Sequence, residues 1–130
     1  MLTRCLVWAV VGDVMNPLKP AHMVAARLKH FNKVVHHVNP RDRNCLPSLA
    51  VAHEKEPIEA VNLIISPKIG LGIVEEMIQL EIKCLFIQPG AGTAAIIEKA
   101  RAADIEIVES CVLITPDKDF REQPEQPSKM

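Results

Sequence analysis

Hydrophobic residues occur along the chain in short runs, separated by polar segments that contain glycine and proline. Cys5–Val11 is almost entirely apolar, which is typical of a central strand of a parallel sheet buried on both faces. The run ends at Gly12, and a loop with two prolines follows. Ala21–Phe31 then has apolar residues at helical spacing. The pattern predicts a strand, a turn and a helix.

The same alternation continues to residue 114. Further strands are predicted at Lys33–Val38, Ala60–Ile65, Lys83–Gln88 and Ile105–Val108, with short extended pieces at Cys45–Leu49 and Cys111–Ile114. Two more helices are predicted, one beginning at Ser66-Pro67 and one over Ala94–Ala103. Strands that alternate with helices imply right-handed crossovers. We therefore expect a single α/β domain over residues 1–114, a Rossmann-like doubly wound parallel sheet of five to six strands with helices on both faces.

Residues 115–130 have a different composition, with three prolines among charged and amide side chains and one aromatic residue, Phe120. Such a segment buries too little apolar area to offset the entropy of ordering. It is expected to be a flexible C-terminal tail. Docking on its own domain or on a partner is the alternative.

Charge and cysteine content narrow the function classes. The 130 residues carry a net charge of −1 without a basic block, so neither nucleic acid nor an anionic membrane is an expected partner. No segment approaches the roughly 20 apolar residues that span a bilayer. The four cysteines are spread out and show no metal-ligand spacing with histidine, so reduced thiols, a cytoplasmic location and no metal are expected.

Candidate ligand-binding residues follow the predicted strands, because doubly wound sheets bind ligands at the carboxyl ends of strands. After the first strand come Gly12, Asp13, Val14 and Lys19. A glycine allows a phosphate to approach the backbone, and a lysine neutralises it. The negative charge of Asp13 would repel a phosphate. The dinucleotide fingerprint G-x-G-x-x-G is absent. A plain tight turn and a solvated lysine remain the alternatives.

The second strand is followed by Asn39, Pro40, Arg41 and Arg43. NAD-binding folds usually have an acidic residue here that accepts hydrogen bonds from the ribose. Arginine instead favours a phosphorylated ribose, as in NADP or coenzyme A. Ordinary surface arginines are the alternative.

Two later strand ends complete the candidate site. The third strand is followed by Ser66, Pro67 and Lys68. The fourth ends at Gln88, and Pro89 and Gly90 follow it. Glycine again lets the backbone approach a ligand, while an ordinary strand-to-helix turn explains it equally.

Seven short motifs occur in a fixed order: VVG at Val10–Gly12, NP-x-x-P at Asn16–Pro20, VNPR at Val38–Arg41, PSL at Pro47–Leu49, SP at Ser66-Pro67, QPGA at Gln88–Ala91 and ESC at Glu109–Cys111. In order and spacing they resemble the small standalone CoA-binding domain family. That family is similar to the CoA-binding domains of succinyl-CoA synthetase alpha subunits and of ADP-forming acyl-CoA synthetases. The resemblance covers residues 4–114.

The resemblance implies a Rossmann-like domain that binds CoA, with Gly12 and its loop at the phosphates. It places Asn39, Pro40 and Arg41 by the adenosine ribose, and Ser66, Pro67 and Lys68 beside the nucleotide. The chain departs from the family at Asp13 and Val14, where members usually have an Ala-Ser-like pair, and at His22, often a tyrosine in relatives.

The expected function is a non-catalytic protein that binds CoA or acyl-CoA, or a subunit that presents CoA to a protein partner. The synthetases use a phosphorylated histidine in a separate domain, and this sequence has no such domain. It also has no paired carboxylates, nucleophile elbow or P-loop, so no enzymatic activity is expected. The alternatives are a small NADP-linked oxidoreductase and a degenerate Rossmann scaffold for protein interaction.

Overall fold

A five-stranded parallel sheet organises the computed structural model, which describes residues 1–121. Its strands are β1 (Val7–Gly12), β2 (Val34–Val38), β3 (Ala60–Ile64), β4 (Cys84–Ile87) and β5 (Glu106–Glu109). The helices that alternate with them are α1 (Pro20–His30), α2 (Leu49–Lys55), α3 (Pro67–Leu80) and α4 (Ala94–Ala102). The expected Rossmann-like α/β domain is confirmed.

The strand order is β2-β1-β3-β4-β5, with every neighbouring pair parallel. The chain moves outward from β1 to β2, then returns to the other side of β1 to form β3. The carboxyl ends of β1 and β3 therefore flank the topological switch point, where doubly wound sheets open a crevice.

Each face of the sheet has its own hydrophobic core, because successive strand residues point to opposite faces. Trp8 and Val10 of β1 and Phe86 of β4 pack on one face against α1. Ala9 and Val11 face the other side, where α2, α3 and α4 cover the sheet. Helices on both faces are thus confirmed.

Helix α2 lies where the sequence analysis placed no helix, partly overlapping the expected extended piece at Cys45–Leu49. The Ser48 hydroxyl accepts a hydrogen bond from Val51 N at 3.2 Å. The Glu76 carboxylate of α3 accepts from Leu49 N and Ala50 N at 3.1 and 3.0 Å. A carboxylate at a helix N-terminus also interacts favourably with the positive end of the helix dipole. Only the bridge between Val38 and Leu46 is extended in this region.

The expected sixth strand at Cys111–Ile114 is wrong. Val112–Ile114 forms a 3₁₀ turn with the Val112 side chain buried on the α1 side of the sheet. The Val112 carbonyl accepts a hydrogen bond from Arg27 Nε of α1 at 3.0 Å. This hydrogen bond and the buried Val112 side chain hold the turn against α1.

The first residues of the expected tail dock on α1. Arg27 Nη2 donates to the Thr115 carbonyl at 2.6 Å and to Asp117 Oδ1 at 3.0 Å. A second 3₁₀ turn, Asp117–Phe120, ends with the Phe120 ring buried. Residues 115–120 therefore pack against α1. Residues 122–130 of the expected tail lie outside the described residues.

Candidate functional site

A crevice of about 440 Å³ opens at the switch point, between the loops that follow β1, β2 and β3. Of the residues predicted from the sequence, it brings together Asp13, Lys19, Asn39, Arg41 and Ser66; Asp42, Ile64, Ile65 and Ile69 complete its lining. The topology predicted this location, because the carboxyl ends of β1 and β3 flank the point where the strand order reverses.

Gly12 forms the floor of the β1–α1 loop. A β-carbon at this position would overlap the carbonyl oxygen of Ile64 in β3, so only glycine fits between the two backbones. Val14 N donates to the Gly12 carbonyl at 2.8 Å, and the Val14 side chain is buried in the core. His22 Nδ1 lies 2.9 Å from the Val14 carbonyl. The tight turn leaves Asp13 exposed at the crevice.

Asn39 shapes the loop after β2. Its Oδ1 accepts a hydrogen bond from Arg41 N at 3.0 Å, and its carbonyl accepts from Asp42 N at 3.2 Å. The Asn39 side chain is buried, so its visible role is to fold the Pro40-containing turn that holds Arg41 at the crevice. Arg43 is exposed and does not line the crevice.

The N-terminus of α3 forms another part of the lining. Ser66 is the N-cap, its side chain caps no backbone N–H, and Pro67 occupies the first helical turn. The first turn contains no acidic residue. Pro67 has no N–H, and Ile69 N and Gly70 N donate to the Ser66 carbonyl at 3.0 and 2.9 Å. Among residues 1–121, the free donor of this turn is therefore Lys68 N, at the end of a 14-residue helix that carries a partial positive charge. Lys68 is exposed beside the crevice, outside its lining.

The crevice continues toward the carboxyl end of β4. A cavity of about 290 Å³ shares Ile64, Ile65 and Ser66 with it and adds Pro89 and Gly90. Gly90 has a φ of +88°, a conformation that glycine adopts without strain.

A further cavity of about 230 Å³ follows between the ends of β4 and β5. It is lined by Gln88, Pro89 and Gly90 and, from β5 onward, by Glu109 and Ser110. Gln88 is 4% exposed, and within the described chain its Nε2 has no hydrogen-bond partner. Buried amide groups are normally hydrogen-bonded, so an unpartnered donor beside this cavity is unusual.

Asn62 is a buried polar residue that the sequence analysis did not single out. It lies in the middle of β3, opposite Phe86 of β4, and is completely buried. Neither its Oδ1 nor its Nδ2 has a partner among residues 1–121. The sequence signal that could have identified Asn62 is that it is a single amide residue within an otherwise apolar predicted strand.

Charges around the crevice are mixed. Lys19 and Arg41 contribute positive charge, and Asp13 and Asp42 contribute negative charge. Within the described part of the chain, none of the four forms an ion pair. Two flexible cations beside a helix N-terminus can bind phosphate groups.

No cluster of three or more metal-ligating side chains occurs among residues 1–121. In the same range, no helix has the length and apolar character needed to cross a membrane.

Comparison with known proteins assigns the family. The sequence matches the family described as CoA binding domain over residues 7–116. The chain belongs to the CoA-binding domain family. No curated protein matches it.

Solved structures give the same fold. A hypothetical protein from Pyrococcus horikoshii OT3 is 30% identical, with a TM-score of 0.77 over 86% of this chain and 82% of that chain. Prb (PH1109 protein redesigned for binding) is 26% identical, with a TM-score of 0.81 over 96% and 91%. Cell-free ID.343 from Thermus thermophilus, at 24% identity and a TM-score of 0.77 over 87% and 89%, resembles the chain in fold.

Proposed function

We propose that the protein binds CoA or acyl-CoA in the crevice at the switch point and does not itself catalyse a reaction. The observation that carries the proposal is the convergence of Lys19, Arg41 and the α3 N-terminus on one crevice. The three come from loops after three different strands, and the fold holds them together in a chain of this family.

The charged end of CoA fits this crevice. In the proposal, its pyrophosphate is bound by the Lys68 N–H in the first turn of α3, by the positive end of that helix and by the Lys19 ammonium. In the proposal, Arg41, which the Asn39 turn holds at the crevice, binds the phosphate on the adenosine ribose through a bidentate contact. Asp13 lines the same crevice and weakens this attraction, since like charges repel.

The uncharged arm of CoA contains two amide groups and extends away from the phosphates. The cavities that continue past Ser66 and Gly90 lead to Gln88. The unpartnered Nε2 of Gln88 donates to an amide oxygen of this arm in our proposal. A buried donor of this kind gains a hydrogen bond that it otherwise lacks.

The non-catalytic part of the proposal rests on the sequence, which contains no paired carboxylates, nucleophile elbow or P-loop. A separate protein partner would then supply any chemistry on the acyl group. Four unpaired thiols fit a reducing, cytoplasmic environment.

The test is native mass spectrometry of the purified protein, followed by calorimetric titration with CoA, acetyl-CoA and NADP. We expect CoA to bind and NADP to bind much more weakly. Arg41→Ala should lower CoA affinity, whereas Arg101→Ala, an exposed arginine at the end of α4, should not. Tighter binding of NADP would favour the oxidoreductase alternative. Binding of neither would favour the scaffold alternative.

A further inference from the structure

A series of neighbouring cavities leads from the crevice along the carboxyl edge of the sheet. Ser110 lines the cavity between the ends of β4 and β5, and it also lines a further cavity of about 300 Å³. Ser110 N donates to the Ile87 carbonyl at 3.1 Å, which continues the β4–β5 pairing by one residue. Ser110 is therefore held at the sheet edge, where the two cavities meet. The further cavity, which has Phe86, Val108 and Ile114 in its lining, is called the distal cavity below.

Apolar side chains form most of the lining of the distal cavity. They are Leu2, Phe86, Val108, Ile114 and Pro116. Leu2 and Phe86 belong to the core on the α1 side of the sheet, and Val108 packs against that core. Ile114, in contrast, is 80% exposed. A hydrocarbon chain that covers Ile114 would remove apolar surface from water, which is favourable.

Hydrogen bonds hold the segment after β5 that forms one side of the distal cavity. Thr115 Oγ1 donates to the Cys111 carbonyl at 2.8 Å, and Arg27 Nη2 of α1 donates to the Thr115 carbonyl at 2.6 Å. Thr115 itself lines the cavity, between Ile114 and Pro116. The cavity is therefore built into the fold, as is usual for sites that bind small molecules.

The charge of the lining changes between the crevice and these two cavities. The crevice contains the cations Lys19 and Arg41. Among the described residues that line the other two cavities, Glu109 and Asp119 are the only charged ones. Neither carboxylate pairs with a cation among residues 1–121. Glu109 Oε1 lies 3.8 Å from the position of a β-carbon on Gly92, beside the β4–β5 cavity. An acyl group that ends in a carboxylate would be repelled here by like charge.

We propose that the acyl group of the ligand is an uncharged hydrocarbon chain that occupies the distal cavity, and that Glu109 disfavours acyl groups that end in a carboxylate. The inference rests on the proposed function, because it requires the CoA phosphates to lie in the crevice. The acyl thioester of an acyl-CoA is at the opposite end of the uncharged arm. Strand β5 is two strands away from β3, or roughly 10 Å across the sheet. The extended arm is longer than this, so it can bring the thioester to Ser110.

Calorimetric titration with CoA, hexanoyl-CoA and adipyl-CoA tests the proposal. The two acyl chains have the same number of carbon atoms, but the chain ends in a methyl group in hexanoyl-CoA and in a carboxylate in adipyl-CoA. We expect hexanoyl-CoA to bind about tenfold more tightly than CoA, since burial of two methylene groups is enough for that factor. Adipyl-CoA should bind about tenfold more weakly than hexanoyl-CoA, because its carboxylate meets Glu109.

A pair of variants in β5 tests the role of the charge. Glu109→Gln should raise the affinity for adipyl-CoA several-fold and leave the affinity for hexanoyl-CoA nearly unchanged. Glu106→Gln is the matched control, because Glu106 is the exposed glutamate at the amino end of the same strand and lines neither cavity. It should keep the wild-type preference for hexanoyl-CoA. Equal affinities of wild-type protein for hexanoyl-CoA and adipyl-CoA would overturn the role of Glu109.

A second pair of variants tests the distal cavity. Ile114→Ser should reduce the preference for hexanoyl-CoA over CoA without changing the affinity for CoA. Leu6→Ser, at a half-exposed leucine just before β1, should leave that preference intact. If CoA binds and hexanoyl-CoA binds no more tightly, the distal cavity does not take the acyl chain, and this inference is overturned while the proposed function stands. If none of the three ligands binds, both are overturned.

Discussion

The ring of Phe120 stacks on the ring of Phe31, with ring centroids 4.3 Å apart and planes within 8° of parallel. The Arg27 guanidinium lies 5.3 Å from the Phe31 ring centroid and 5.0 Å from that of Phe120. Cation–π attraction and the burial of Phe120 therefore stabilise the same contact. This contact fastens the segment after β5 to the C-terminal end of α1.

We expect Phe120→Ala to lower the free energy of unfolding by about 3 kcal/mol, since it removes a buried aromatic ring. Truncation after Ile114 should lower it at least as much, because the Thr115 and Asp117 contacts to Arg27 also disappear. Urea denaturation measures both changes. Ile114→Ala is the matched control, since Ile114 is 80% exposed and its loss should change little. Equal effects of Phe120→Ala and Ile114→Ala would contradict the docking.

Gly12→Ala should destabilise the protein strongly. The added β-carbon would overlap the Ile64 carbonyl oxygen, and relief requires movement of the backbone at the β1–β3 pair. Gly72→Ala is the control, because nothing lies within 4 Å of a β-carbon there. In helix α3 that change should add about 0.5–1 kcal/mol. Thermal unfolding should move the two variants in opposite directions, and a neutral Gly12→Ala would disprove the close approach.

The sequence predicted the parts of the fold that depend on local pattern. The five strands and helices α1, α3 and α4 follow from apolar runs and helical spacing, and their ends agree with the structure within about two residues. Helix α2 could not be predicted in this way, because the carboxylate at its N-terminus is Glu76, which belongs to another helix. The packing of Phe120 likewise could not be predicted, because its ring stacks on Phe31, which is far away in the sequence.

The candidate site was predicted at the level of strand ends and not of side-chain roles. Asp13, Lys19 and Arg41 line the crevice together because the topology brings their loops to one edge. The sequence alone did not show that the Val14 side chain faces the core or that Asn39 folds the turn. Both facts depend on which way a side chain points in an irregular loop.

His37 makes stability depend on pH. Burial, and after it the positive charge of Lys29, lowers the pKa of His37 below its ordinary value of 6.5. Below that pH the unfolded chain binds a proton that the folded chain resists, so the free energy of unfolding decreases as the pH falls. His37→Gln should show a smaller decrease between pH 7 and pH 5 in urea denaturation. An unchanged pH dependence in His37→Gln would show that His37 is not the source of the pH-dependent loss of stability.

Asp13→Ser should raise CoA affinity if CoA occupies the crevice. The substitution removes a negative charge beside the phosphates and supplies a hydroxyl donor, a change on the order of 1 kcal/mol at a partly solvated site. Calorimetric titration measures it. Glu98→Gln, which removes an exposed carboxylate on α4, should leave the affinity unchanged. Weaker binding by Asp13→Ser would mean that Asp13 hydrogen-bonds the ligand or supports the loop.

Arg41 should distinguish CoA from dephospho-CoA, which lacks the phosphate on the adenosine ribose. In the wild type we expect CoA to bind about tenfold more tightly, or ~1.4 kcal/mol, because the phosphate gains a charge-assisted contact. In Arg41→Ala the two ligands should bind almost equally, so the mutation and the missing phosphate are not additive. Arg43→Ala is the matched control from the same loop. Its side chain lies outside the crevice lining, and it should retain most of the preference for CoA. If Arg43→Ala abolishes the preference and Arg41→Ala does not, the phosphate lies on the other side of the Asn39 turn.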